Sequence, residues 1–113
     1  MTRVAIALLG RRDEPTDALE EYCNYLGSAL RTHDIRLEIF RVPWNARGWR
    51  EALDTLRLQA VAWNETWVLV QYTALAWSAR GFPHRFFRVL EILGEAGARI
   101  AVVFHDEIGR AHV

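Results

Sequence analysis

No lysine occurs among the 113 residues, cysteine occurs once, and the formal charge is zero, with 14 basic side chains against 14 acidic ones. Each shortage closes a class of function. Without lysine a P-loop cannot be completed, and no G-x-G-x-x-G follows the first apolar run, where Gly10 leads only into Arg11-Arg12-Asp13-Glu14. Both nucleotide-binding loops are excluded. Cys23 alone can form neither an internal disulfide nor a multi-cysteine metal site, which fits a reducing compartment. The zero net charge removes the electrostatic case for nucleic acid or an anionic membrane. No apolar run approaches the roughly 18–20 residues of a membrane span, and Arg3 to Leu9 is too short for a signal-peptide core. Ser78 lacks the G-x-S-x-G turn of a hydrolase nucleophile, and His84, His105 and Asp106 share no metal-ligand spacing, so no metal and no cofactor is expected.

What the chain does have is core-forming material. Hydrophobic residues make up 51% of it, enough for one small domain that buries about two-thirds of its unfolded surface. Residues 3–9 form a continuous apolar run, the pattern of a strand buried on both faces of a parallel sheet. Asp17 with Glu20 resembles a capping box, and Leu19, Tyr22, Cys23, Leu26, Ala29 and Leu30 then follow at helical spacing. Cys23 thus falls on a core stripe rather than at a nucleophile's position. Residues 36–42 alternate at period two, as a strand near a sheet edge would, and His33 sits in the solvated turn before them. Trp49 to about Trp63 gives a second helix, 67–71 a third strand, Pro83 onward a third helix ended by Gly97, and 99–104 a fourth strand closed by His105-Asp106.

Strands alternating with helices at this spacing predict right-handed βαβ units in an α/β, Rossmann-like, three-layer fold with a parallel sheet. The most apolar strands belong in the middle, which gives the strand order 2-1-3-4. Winding then reverses between the first and third strands, and a crevice is expected beyond their carboxyl ends, flanked by loops 10–17 and 72–82. Those loops hold Arg11, Arg12, Asp13, Glu14, Tyr72, Thr73, Trp77, Ser78 and Arg80. Arginines there suit a sugar hydroxyl, phosphate or carboxylate, and Trp77 offers an indole face for stacking on a sugar. The first helix alone cannot cover its whole face of the sheet. The fold is therefore expected to be incomplete at its C-terminal edge, with an open apolar edge at 99–104 through which copies would self-associate.

The residues after Asp106 show neither helical nor strand pattern. Back-translation as ATC-GGA-AGA-GCA-CAC-GTC-TGA reproduces Ile108 to Val113 and a stop, and that string matches a widely used short-read sequencing adapter, with Glu107 as GAG in phase. Residues 1–106 are accordingly expected to be a domain and 107–113 a non-native tail.

With these elements placed, the chain resembles the amino-terminal domain of a GT-B retaining glycosyltransferase of the group 1, or family 4, type. The resemblance rests on the opening run Arg3 to Gly10, the helix Leu19 to Leu30, the strand Trp67 to Tyr72, and Ile100 to Phe104 ending in His105-Asp106. It implies a bacterial, cytoplasmic transferase in which this domain holds the acceptor and a second Rossmann-like domain holds the nucleotide sugar. It implies His105 as the catalytic-site residue facing the transferred sugar, with Arg11, Arg12, Asp13, Glu14, Tyr72, Thr73, Trp77 and Arg80 lining the acceptor side. Peripheral membrane association is compatible with the family through parts beyond residue 106. The family's usual Gly-Gly pair is replaced by Arg11-Arg12-Asp13-Glu14, which speaks against donor contact through this loop. Alone, the domain should not transfer sugar. The alternative is a stand-alone flavodoxin-like binding or interaction module without catalysis.

Overall fold

The computed structural model describes residues 2–11, 17–79 and 83–105, and the backbone of 111–112. In chain order the elements are β1 (Arg3–Leu9), α1 (Ala18–Arg31), β2 (Ile35–Arg41), α2 (Trp44–Arg47) and α3 (Trp49–Ala60). After α3 comes a single 3-10 turn, Val61–Trp63. β3 (Trp67–Tyr72), α4 (Ala74–Trp77), α5 (His84–Glu95), β4 (Arg99–His105) and β5 (Ala111–His112) complete the chain. The first four strands are parallel in the order β2-β1-β3-β4, as the apolar pattern predicts. This is an α/β, Rossmann-like architecture. No described helix is long and apolar enough to cross a membrane.

The sheet buries two unlike faces. In the ladder Ala7 aligns with Ile39 and with Leu69, which aligns with Ala101, so the odd-numbered residues of β1, β3 and β4 share one face with Leu37 and Ile39 of β2. Helix α1 covers that face, with Gly27 against Leu37 and Leu19 and Cys23 fully buried. The opposite face carries Ile6, Leu8, Val68 and Val70 under α3 and α5, where Leu56, Val89 and Leu93 are buried. One helix against two leaves the α1 face short of cover at its far side. Trp67 there is exposed, and Ala101 and Val103 are only partly buried.

Three features depart from the sequence expectation. Ahead of the helix expected from Trp49 stands a one-turn helix, α2, and the loop expected at 72–82 contains another, α4. The tail, expected to be patternless, places Ala111–His112 antiparallel to Phe104–His105. An edge strand presents unpaired N–H and C=O groups, and any segment returning along it gains backbone hydrogen bonds, whatever its own pattern.

Candidate functional site

The carboxyl ends of β1 and β3 should open a crevice, since winding reverses between them. Among the described residues the structure closes it. Ala76 of α4 lies against Gly10, and its carbonyl oxygen accepts from the Arg11 backbone N–H (2.6 Å) and from Trp44 Nε1 (2.8 Å). A Cβ built on Gly10 would stand 2.9 Å from the Ala76 carbonyl carbon and closer still to its oxygen. Gly10 is needed for this close approach of two backbones, not for a phosphate.

The N-terminus of α1, the other place where such folds hold phosphate, is also taken. Asp17 caps it, accepting from the Glu20 N–H at 3.1 Å. Arg41 at the end of β2 donates to the same carboxylate (2.8 Å) and to the Gly10 carbonyl (3.0 Å), tying β1, β2 and α1 together. Asp17 is buried and Arg41 partly so, and the carboxylate, held by Arg41, sits at the positive end of the helix dipole. A phosphate would have to displace it.

Burial first, then the Asp17 carboxylate, pushes the neighbouring Cys23 thiol up from its ordinary 9.0 to about 12. Such a thiol is inert, as its place on the core stripe implies. The sign of the pH effect follows directly. Above pH 9 the unfolded chain releases a proton that the folded chain retains, so stability falls as pH rises from 9 towards about 12. Cys23→Ala should show a smaller loss of urea midpoint across that window, and native Cys23 should resist iodoacetamide at pH 8. Rapid alkylation without unfolding would contradict this.

Among the described residues, those expected to line the crevice do not converge. Trp77, expected to offer its face to a sugar, is 1% exposed. Its Nε1 donates to the Gln71 carbonyl at 2.7 Å, and its ring packs 5.5 Å from that of Phe86. Tyr72 points to the opposite face from α1, against Phe86 and Phe104. The Thr73 hydroxyl accepts from the Ala76 N–H as the cap of α4. Arg11 is partly buried, with its guanidinium 5.5 Å from the Trp44 ring centre. Arg12, Asp13, Glu14, Arg80 and Asp106 lie outside the described residues.

His105 is placed differently. It is the last residue of β4, 8% exposed, on the α1 face of the sheet. Its Nε2 lies 2.7 Å from Oε1 of Gln71, and the Tyr22 ring meets it edge-on at 4.9 Å. Gln71 and Tyr22 are functional candidates that periodicity passed over. A polar residue at the carboxyl end of an otherwise apolar interior strand was the signal for Gln71.

No family model, curated protein or solved structure matches the chain. Among the described residues no three His, Cys, Asp or Glu side chains gather as a metal set would. A depression of about 460 Å³ lies at the opposite, amino-terminal edge of the sheet, lined by Thr2, Arg31, Asp34 and Arg36 among others. Its polar groups are largely turned on one another: Thr2 donates to Asp34 and Arg36 to Glu38. What the described residues of the carboxyl edge offer is one imidazole, oriented from two sides, with protein groups at the end of β1 and at the α1 N-terminus.

Proposed function

We propose that residues 1–106 are the acceptor-side domain of a GT-B glycosyltransferase, with His105 facing the transferred sugar and the nucleotide sugar held by a second domain. The observation that carries this reading is the position of His105: it ends β4 at the carboxyl edge of a parallel sheet ordered β2-β1-β3-β4, where functional side chains of such folds collect. The closed Gly10–Ala76 contact and the Asp17–Arg41 pair support giving the donor phosphates to another domain. In this reading the chain's own residues orient an imidazole and supply the acceptor side of a cleft; they do not grip the nucleotide.

Two measurements test the proposal. Calorimetric titration of the 113-residue chain with a UDP-sugar is expected to give no saturable heat. Binding there would overturn the division of labour between domains. Sequencing the source DNA through codons 100–113 and onward is expected to find the frame continuing into a second α/β domain with an E-x7-E-like glutamate pair. A genuine stop after Val113 sinks the glycosyltransferase reading and leaves a flavodoxin-like binding module.

A further inference from the structure

The hydrogen bonds around Gln71 settle a question that the position of His105 alone leaves open: which ring nitrogen carries the proton. Gln71 is fully buried, and its side-chain amide has two partners. Its Nε2 lies 3.0 Å from the Leu69 carbonyl oxygen, and its Oε1 lies 2.7 Å from His105 Nε2. A backbone carbonyl can only accept, so of the two ends of the amide only the NH2 can face Leu69. Turning the amide over would set two acceptors against each other at that contact. The amide oxygen therefore faces the imidazole, and since it too can only accept, Nε2 of His105 must be the donor.

Nothing in this arrangement is loosely held. The Gln71 backbone carbonyl receives the indole N–H of buried Trp77. The β3–β4 ladder aligns Gln71 with Val103, which sets His105, two residues on, upon the same face. Tyr22 from α1 packs edge-on against the imidazole. Rotating the ring away from Gln71 would leave a buried amide oxygen without its donor, a state that folded proteins avoid.

We infer that Gln71 is a positioning residue for His105, holding the neutral imidazole as the Nε2–H tautomer. Trp77 acts one step further back, through the Gln71 carbonyl. The tautomer lock stands on the hydrogen bonds alone. Only its use, in exchanging a proton with a sugar hydroxyl, rests on the function proposed above.

Long-range 1H–15N correlation spectra of the 15N-labelled chain in alkaline buffer test the lock, with the His105 signals assigned by their loss in His105→Phe. Wild type is expected to show a pyrrole-type Nε2 and a pyridine-type Nδ1. Gln71→Leu should move both nitrogens toward the averaged shifts of exchanging tautomers, a change that a purely packing role would not produce. An Nδ1–H tautomer in wild type, averaged shifts in wild type, or an unchanged pattern in Gln71→Leu would each overturn the inference. If Gln71→Leu does not fold, the wild-type spectrum decides it: the locked pattern supports the lock, and averaged shifts or an Nδ1–H tautomer overturn it. Because none of these readouts is activity, a source frame without a second domain would remove the glycosyltransferase reading and leave the lock standing.

Discussion

Gly10→Ala should destabilise the protein by about 3–5 kcal/mol, although it adds a single methyl group. Overpacking of a core alone costs roughly 1–3 kcal/mol, and here the methyl meets a backbone carbonyl, which cannot swing aside as a side chain could. Relief requires α4 to move off the end of β1. That movement breaks the bonds from Arg11 N–H and Trp44 Nε1 to the Ala76 oxygen, and stranding buried polar groups adds about 1–3 kcal/mol. For a domain near this size each kcal/mol lowers the melting midpoint by roughly 4–8 °C, so a fall of about 12 °C or more is expected. Gly94→Ala is the control. It is the same chemical change inside α5, where nothing lies within 4 Å of the added carbon, and it should stabilise by about 0.5–1 kcal/mol through helix propensity. Equal effects from the two substitutions would show that the Gly10–Ala76 contact is not what closes the crevice.

The contrast between those two glycines also shows what was legible in the sequence. Strands β1, β3 and β4 could be read because each carries an apolar run, and runs of that kind are visible in one dimension. Their order followed from ranking them by apolarity, and the α1 cap from Asp17 and Glu20. The short helices α2 and α4 were not legible. Four residues are too few to show a period, and these two are fixed by contacts across the chain, such as Trp44 to Ala76, 32 residues apart. The occupied crevice was hidden for the same reason, since a strand order predicts a switch point but not what fills it. The Gln71–His105 pair lies between these cases. Its members are 34 residues apart, yet the parallel register makes them neighbours on one face. Four apolar residues precede Gln71, and a run of that kind hides the polar residue at its end.

Trp77 is where the two possible uses of an aromatic side chain predict opposite results. Trp77→Ala should cost about 3–5 kcal/mol, the range for emptying the site of a large buried aromatic ring. A stacking platform on an open loop would behave otherwise, because exposed side chains usually change stability by no more than about 0.5 kcal/mol. The observed burial, the contact with Phe86 and the bond to Gln71 all favour the large value. Trp77→Phe separates the contributions. It keeps most of the ring but removes the indole N–H, leaving the Gln71 carbonyl without that donor at a cost of about 1–3 kcal/mol. The loss then has two readouts in one protein: a lower urea midpoint, and a disturbed His105 ring, because Gln71 is the residue between them. A Trp77→Ala variant as stable as wild type would return the indole to the surface and restore it as a candidate sugar contact. A destabilised Trp77→Phe variant with altered His105 nitrogen shifts would establish that this tryptophan serves the site from inside the fold, by holding the residue that holds the imidazole.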